Sequence, residues 1–244
     1  MTDLIEIAER KISNSNKLTI IAGLNVLEDD QQTVEVAEKL KKIIESQGNP
    51  FIFKASFDKA NRSSVDSYRG PGLEKGLEIF KELKKSGYQL ITDIHEISQV
   101  EKISEVIDII QIPAFLCRQT DLIKEACQAG KPLNIKKGQF LSPDQMKNII
   151  EKCNNFGNDQ VMLCERGTSF GYDNLIVDML GMSKLKSFNC PVVFDVTHSL
   201  QLPGQGKTAA GGRGEQAEDL AKAGVSLGIA GLFIEVHPNP EQAL

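Results

Sequence analysis

Eight short apolar runs, each too short for a helix, are the feature that most restricts the fold of this 244-residue chain. Strands buried on both faces of a parallel sheet have this pattern, because neither face meets water. Amphipathic stretches such as 34–47 and 73–86 separate most of the runs, and these two are followed by Gly48 and Gly87, as helix C-termini often are. The runs occupy residues 18–22, 51–55, 89–92, 107–112, 133–136, 161–164, 192–195 and 231–235.

This alternation favours an α/β fold, and specifically a single (β/α)8 TIM barrel. Eight units spread evenly along the chain fill one domain of the usual size, whereas a doubly wound open sheet is the alternative. We therefore expect one barrel domain over residues 1–244. The chain ends at Leu244, soon after the eighth run, so we also expect that a C-terminal tail is missing.

The overall charge and the cysteines exclude several classes of protein. The net charge is −5 and no basic stripe is present, which argues against a nucleic-acid partner. No window holds the roughly 18 apolar residues of a membrane span, and the charged N-terminus lacks an apolar signal core, so we expect a cytoplasmic protein. The five cysteines form no CxxC motif, which is typical of reduced thiols and not of a disulfide framework or a zinc knuckle.

Charged residues cluster where the predicted strands end, and catalytic groups lie at the carboxyl ends of barrel strands. Any single one of these cations is more often a solvated surface group. Five of them meeting at one mouth indicate a ligand with several negative charges, such as two phosphates and a carboxylate. The cations are Lys54, Lys59, Arg62, Lys136 and Arg166.

The acidic and histidine residues at the same ends allow two interpretations. Asp93, Asp195 and Glu235 could act in catalysis or could only neutralise the cations, and His198 alone is a weak signal. We interpret His95 and His237 as ordinary hydrogen-bonded histidines. The Gly-rich segment 202–214 does not complete a phosphate-binding P-loop, because Gln201 stands where that motif needs glycine; we interpret the segment as a lid over an anionic substrate.

Seven stretches resemble the 3-deoxy-D-manno-octulosonate 8-phosphate synthase family and together cover nearly the whole chain in family order. They run from the FKASFDKANRSS block at 53–64, which continues to 72, through 92–96, 111–120, 134–139, 164–167 and 194–201 to 231–238. The resemblance implies an enzyme of lipopolysaccharide biosynthesis that condenses phosphoenolpyruvate with arabinose 5-phosphate and releases phosphate. It also implies a cytoplasmic homotetramer.

The same resemblance assigns site residues by position. It implies that Lys136, Arg166 and the backbone N–H of Ala114 take the phosphate of phosphoenolpyruvate, and that Asn61, Arg62 and Ser63 take the phosphate of the sugar. The rest of phosphoenolpyruvate would be held by Lys54, Ser56, Lys59 and Gln111, and Pro113 and Gln201 are counted with the substrate-binding residues. The candidate catalytic residues are Asn25, Lys54, Asp93, His198 and Glu235.

The expected chemistry joins C3 of phosphoenolpyruvate to the aldehyde while water attacks C2. Asp93 and Glu235 could orient or deprotonate this water with help from His198, and the sequence leaves the identity of the base open. The family has a metal-dependent form with a Cys where this chain has Asn25, joined by a His, a Glu and a late Asp. His198 and Glu235 match the next two positions, whereas the late Asp would lie beyond Leu244. We therefore expect the metal-independent form, with no cofactor.

Three alternatives stay open at this stage. A heptulosonate-phosphate synthase would use erythrose 4-phosphate, although such enzymes have a Pro-Arg-Thr type of run where this chain has Asn61-Arg62-Ser63. A Schiff-base aldolase on the same barrel would use Lys54 or Lys136 as a nucleophile. A non-catalytic phosphosugar binder would bind its ligand without releasing phosphate.

Overall fold

Eight parallel strands close into a barrel in the computed structural model, which describes residues 2–203 and 211–243. The eighth strand pairs with the first from Gly231↔Thr19 to Glu235↔Gly23, and this closure rules out the open-sheet alternative. The TIM barrel is thus confirmed, and the largest boundary difference is the start of the fourth strand at Ile109 instead of residue 107. The strands are β1 (Thr19–Gly23), β2 (Phe51–Lys54), β3 (Leu90–Asp93), β4 (Ile109–Ile112), β5 (Leu133–Lys136), β6 (Val161–Glu165), β7 (Val192–Asp195) and β8 (Gly231–Glu235).

Helices follow the strands and cover the outside of the barrel. In the described residues they are α1 (Asp30–Ser46), α2 (Leu73–Lys85), α3 (Val100–Ser104), α4 (Thr120–Gln128), α5 (Met146–Asn155), α6 (Met179–Lys186), α7 (Val196–Ser199) and α8 (Ala217–Val225). Short 3₁₀ turns span Ile97–Gln99, Ala114–Leu116, Pro143–Gln145, Gly214–Gln216 and Pro240–Gln242. None of the helices in the described part of the chain is both long and apolar enough to cross a bilayer.

Side-chain caps explain where two of these segments begin. Asp29 accepts a hydrogen bond from the backbone N–H of Gln32 at 2.8 Å, so α1 begins four residues before the predicted helix at 34. Ser142 and Gln145 form a reciprocal capping box ahead of α5, with Pro143 in the first turn, as the Ser-Pro pair predicts.

The pleat of each strand divides the core into two layers. Outward residues such as Phe53 and Ile110 pack against the helices. Inward residues fill the barrel in a separate apolar cluster that includes Ile21, Ile52 and Met162. Successive side chains of a strand point to opposite faces, so this alternation also decides which side chains reach the mouth.

An N-terminal hairpin that the sequence analysis did not predict closes the amino end of the barrel. Its strands Ile5–Ile7 and Arg10–Ile12 pair antiparallel, with Ala8 at φ 52° in the turn. Ile5, Ile7 and Ile12 belong to the same buried cluster as the inward barrel residues. The amide of Asn14, just after the hairpin, donates to Cys190 O at 2.8 Å and accepts from Val192 N at 2.9 Å, which ties this segment to the start of β7.

Two smaller hairpins lie beyond the carboxyl ends of the strands. Thr168–Ser169 pairs with Leu175–Ile176, and Gln201–Leu202 pairs with Gly211–Gly212. The second pairing joins the two ends of the predicted lid, whose central residues 204–210 lie outside the described part of the chain.

Candidate active site at the barrel mouth

The mouth is lined by inward side chains at, or directly after, the carboxyl ends of seven neighbouring strands. On β2, Ile52 in the apolar cluster is followed two positions later by Lys54, and on β7 Val193 is followed by Asp195 in the same way. Because all strands run parallel, these ends meet at one edge of the barrel. The seven side chains are Lys54, Asp93, Gln111, Lys136, Arg166, Asp195 and Glu235, and all except Glu235, which is 12 % exposed, are buried.

The first strand ends differently, in a glycine that lets β1 approach β2 closely. A Cβ at Gly23 would lie 1.9 Å from the carbonyl oxygen of Lys54, so no larger residue fits there without moving a strand. The chain then turns inward, and the carbonyl oxygens of Leu24 and Asn25 accept hydrogen bonds from Lys54 Nζ at 3.0 and 2.9 Å.

Lys54 is the most deeply enclosed cation of the mouth, with a side chain only 1 % exposed. Its Nζ also donates to Glu235 Oε1 at 2.5 Å. Burial lowers the pKa of Lys54 to about 8, although the charge of Glu235 opposes this. Lys59, from the loop after β2, lies 3.7 Å from the same carboxylate oxygen. Two cations therefore share one acid.

A second cluster joins Lys136, Asp195 and His198 across the mouth. Lys136 donates to Asp195 Oδ2, and its Nζ stands 3.7 Å from the centre of the Phe233 ring. Asp195 Oδ1 caps α7 by accepting from the backbone N–H of His198 at 2.9 Å. This cap holds the imidazole so that its Nδ1 lies 2.7 Å from Asp195 Oδ2. Asp195 thus positions both Lys136 and His198. The sequence alone left open whether this carboxylate only neutralises the cations.

The acids of the mouth are ionised and the histidine favours its neutral form. Burial by itself raises the pKa values of Asp195 and Glu235, but His198 together with Lys136 or Lys54 holds both pKa values well below the usual range. Burial lowers the pKa of His198 against the opposing charges of Asp195 and Glu235, which favours the neutral ring. His198 Nε2 faces Glu235 Oε2 at 3.5 Å.

Asp93 and Ser56 present unpaired polar atoms within the mouth. Asp93 Oδ2 lies 3.2 Å from His95 Nε2, whereas its Oδ1 and the hydroxyl of Ser56 are buried without a hydrogen-bond partner among the described residues. Burial raises the pKa of Asp93, but the hydrogen bond from His95 and the charge of Lys59 outweigh burial and lower it. Buried polar atoms left unpaired in this way are where a bound ligand or water would be expected.

On the opposite side, Arg166 follows β6 and donates from Nη2 to Gln201 Oε1 at 3.1 Å. Burial lowers the pKa of this guanidinium, which stays charged because its ordinary pKa is so high. Ala114 begins a 3₁₀ turn directly after β4, with Pro113 as its cap residue.

The loop after β2 is only partly brought into the site. Arg62 is half-buried and donates from Nε to Tyr68 O at 3.1 Å, and its Nη2 is buried without a partner in the described structure. Asn61 and Ser63 are exposed, and within residues 2–203 and 211–243 no hydrogen bond joins either of them to the other site residues.

Some residues that matter to the mouth were not singled out by the sequence analysis. Asn134 donates from Nδ2 to Gln111 Oε1 at 3.0 Å inside the barrel. Lys137, next to Lys136, points outward and is buried beside Glu165 at 3.5 Å. The sequence signal for Asn134 is a polar residue inside an apolar run. Only the alternation of side chains between the two faces of a strand distinguishes Lys137 from Lys136 in the sequence.

The arrangement is suited to anions, since five cations face three carboxylates that are themselves paired. No group of three or more His, Cys, Asp or Glu side chains within the described ranges could hold a metal ion. The chemistry that such a mouth supports is binding of phosphorylated, carboxylated substrates side by side, with ionised acids and a neutral imidazole available to handle protons.

Known proteins match this chain along nearly its full length. The family model described as the DAHP synthetase I family matches residues 4–244. The 2-dehydro-3-deoxyphosphooctonate aldolase of Pasteurella multocida is 56% identical over 243 residues, which are 98% of this chain and 86% of the relative. The proteins of the same name from Hahella chejuensis and Ectopseudomonas mendocina are 53% and 54% identical, covering 99% and 98% of this chain and 86% of each relative. The chain therefore belongs to the DAHP synthetase I family.

Proposed function

We propose that this chain condenses phosphoenolpyruvate with D-arabinose 5-phosphate and water to give 3-deoxy-D-manno-octulosonate 8-phosphate and inorganic phosphate, a step of lipopolysaccharide biosynthesis. The observation that carries the proposal is the cation-rich mouth in a chain more than half identical to three aldolases named for 2-dehydro-3-deoxyphosphooctonate. Two anionic substrates repel each other, and converging cations offset that repulsion while they orient both.

Phosphoenolpyruvate would lie across the centre of the mouth. Its phosphate would be bound by Lys136, Arg166 and the N–H of Ala114, and its carboxylate side by Lys54 and Lys59. Ser56 and Gln111 would complete the contacts. The unpaired hydroxyl of Ser56 supports this assignment, because a ligand oxygen would satisfy it.

The sugar phosphate would bind at the loop after β2, through Asn61, Arg62 and Ser63. The unpaired Nη2 of Arg62 supports an anion there, since a guanidinium recognises phosphate through several N–H groups at once. Asn61 and Ser63 are exposed, so both side chains are accessible to the sugar phosphate.

In the reaction, C3 of phosphoenolpyruvate forms a bond to the aldehyde carbon, and water adds to C2 as positive character develops there. The ionised Glu235 and Asp93 would orient the water and stabilise that charge. The imidazole of His198 would accept the water's proton, since burial lowers its pKa and so favours the neutral ring, which has a free lone pair. Phosphate then leaves from the hemiketal intermediate.

We further propose the metal-independent form of this chemistry. Asn25 follows the end of β1 by two residues, and its amide oxygen is a far weaker ligand for zinc or iron than a thiolate. Asn25→Cys should therefore make activity sensitive to a chelator and to added metal. Activity of Asn25→Cys that ignores both would count against this assignment.

A homotetramer located in the cytoplasm completes the proposal. Large exposed side chains on the loops after β4, β5 and β6 support self-association, namely Phe115, Phe140, Phe170 and Tyr172. Light scattering coupled to gel filtration should give four times the mass of one chain, and a monomer would contradict the tetramer.

The first experiment is phosphate release from phosphoenolpyruvate, with arabinose 5-phosphate or erythrose 4-phosphate, each with and without a chelator. We expect release that requires arabinose 5-phosphate and ignores the chelator. Release with erythrose 4-phosphate instead would overturn the assigned aldehyde. Binding without release would indicate a phosphosugar binder, and borohydride trapping of substrate on Lys54 or Lys136 would indicate a Schiff-base aldolase.

A further inference from the structure

Asn134 is an amide buried inside the barrel, one inward position before Lys136 on β5. Its side chain is fully buried, and its partner in the parallel ladder is Gln111 of β4. Asn134 Nδ2 donates to Gln111 Oε1 at 3.0 Å, and Gln111 is itself only 3 % exposed. From these contacts we propose that Asn134 is a positioning residue that fixes the carboxamide of Gln111 with its NH₂ group facing the bound phosphoenolpyruvate.

The argument depends on the asymmetry of a carboxamide, which accepts at its oxygen and donates at its nitrogen. Because Asn134 occupies the oxygen of Gln111, the Nε2 group must face another direction. No acceptor for this Nε2 is found among the described residues, and Lys136 lies one inward position closer to the mouth than Asn134. An anion at the mouth therefore meets a donor, whereas a rotated Gln111 would present an oxygen and repel it.

A structural role alone does not explain an asparagine at this position. Asn134 Oδ1 is buried and has no hydrogen-bond partner among the described residues, and an unpaired buried oxygen destabilises a fold. An apolar pair, such as leucine here with methionine at position 111, would fill the same space without that defect. The arrangement is explained if the hydrogen bond from Asn134 Nδ2 holds Gln111 in the orientation that binds the ligand.

This inference rests on the proposed function, since phosphoenolpyruvate is the ligand that Gln111 would contact. Asn134→Leu removes the donor while keeping the volume. The KM for phosphoenolpyruvate and its Kd by calorimetry should rise about tenfold, the factor expected for a hydrogen bond to a charged ligand. The KM for arabinose 5-phosphate should be unchanged. The melting temperature should fall modestly, because Gln111 Oε1 loses its donor, so both constants are measured well below it.

Asn134→Asp sharpens the test, because a carboxylate can only accept. It should draw the NH₂ of Gln111 towards itself and turn Oε1 to the ligand, raising the KM for phosphoenolpyruvate by about 100-fold. Thr19→Val is the matched control, since Thr19 is another buried residue of the barrel with an unpaired side-chain oxygen; this variant should leave both KM values unchanged.

A double-mutant cycle with Gln111→Met separates positioning from general damage. In the Gln111→Met background, Asn134→Leu and Asn134→Asp should have no further effect on the affinity for phosphoenolpyruvate. Additive effects, or an Asn134→Leu enzyme with unchanged affinity, would overturn the role of Asn134 while leaving the proposed function intact. A wild-type chain that neither binds phosphoenolpyruvate nor releases phosphate from it would overturn both.

Discussion

The two ends of the barrel interior are built from the same strands and serve opposite purposes. At the amino end, inward residues such as Ile52 and Val193 pack with the isoleucines of the N-terminal hairpin. Two positions further along the same strands, the buried charges of Lys54 and Asp195 are each paired across the mouth, Lys54 with Glu235 and Asp195 with Lys136. One step of the pleat thus separates apolar packing that stabilises the barrel from the charged layer that we propose binds the substrates. Substitutions at the amino end should therefore change mainly stability, and substitutions at the mouth should change mainly activity.

Lys136 and Lys137 repeat this contrast between neighbours in the chain. Lys136 points into the mouth, whereas Lys137 is buried outside the barrel, where its Nζ donates to Thr168 Oγ1 at 3.0 Å and to Gly167 O at 3.3 Å. It also faces Glu165 at 3.5 Å, which accepts from Gly167 N at 2.7 Å. Lys137 thereby ties the turn after β5 to the turn after β6.

The largest effect is expected for Arg166→Met at the mouth. Loss of the phosphate contact proposed for this guanidinium should lower kcat/KM for phosphoenolpyruvate by about 1000-fold, or about 4 kcal/mol. The melting temperature should stay the same or rise. A buried guanidinium costs desolvation free energy, and the side chain that accepts its hydrogen bond is the neutral amide of Gln201. Arg10→Met, at the amino end, is the matched control and should keep kcat/KM. If Arg166→Met kept its activity and had a lower melting temperature, the role of Arg166 would be to stabilise the fold and not to bind phosphate.

Lys137→Met should cost about 3 to 4 kcal/mol of unfolding free energy, because it leaves the carboxylate of Glu165 buried without its cation. Denaturant unfolding measures this loss. The double variant Lys137→Met with Glu165→Leu should recover most of it, since no charge then stays unpaired. If kcat/KM fell as far as in Arg166→Met, the division between the two lysines would be wrong.

At the apolar end, Ile12→Ala should lower the unfolding free energy by about 2 to 3 kcal/mol through a cavity under the barrel. For a chain of this size the melting temperature should fall by on the order of 5 °C or more. The kcat/KM of the folded enzyme should be unchanged, because the hairpin lies at the other end of the barrel from the mouth. A large loss of activity below the melting temperature would show that the two ends are coupled.

The smallest effect is a pH dependence with opposite signs for activity and stability. As pH rises through about 8, the value to which burial lowers the pKa of Lys54, the cation is lost and kcat/KM for phosphoenolpyruvate should fall, at most tenfold per pH unit. Because the native pKa lies below the ordinary lysine value of 10.5, the unfolded chain binds more protons in this window, and the contribution of Lys54 to stability should rise by up to about 1.4 kcal/mol per pH unit.

Comparing the pH profiles of the wild type and Lys54→Met isolates this contribution from other groups that titrate above pH 8. The difference in melting temperature between the two proteins should change between pH 8 and 10.5 and be constant below pH 7. A constant difference across the whole range would show that Lys54 is not the titrating group.

Much of the barrel could be read from the chain because burial on both faces leaves a local signature. The apolar runs at 133–136 and 192–195 coincide with β5 and β7. The rule that catalytic groups follow strand ends also selected Lys54, Lys136 and Arg166, which the structure brings together. The hairpin was missed because its strands are only three residues long and carry Glu6, Arg10 and Lys11 among the isoleucines, too short a pattern to separate from a charged terminus.

The sequence by itself therefore determined the strand and helix periods, the α/β class and the set of charges at the mouth, since each depends on neighbours a few residues apart. Only the tertiary structure decided the partners. Lys54 meets Glu235 across 181 positions and Gln111 meets Asn134 across 23, and these pairings follow from the register of strands around the barrel. The same register decides that Lys136 faces the mouth and Lys137 lies in the wall beside Glu165, because an inward or outward direction has no meaning until the barrel is closed.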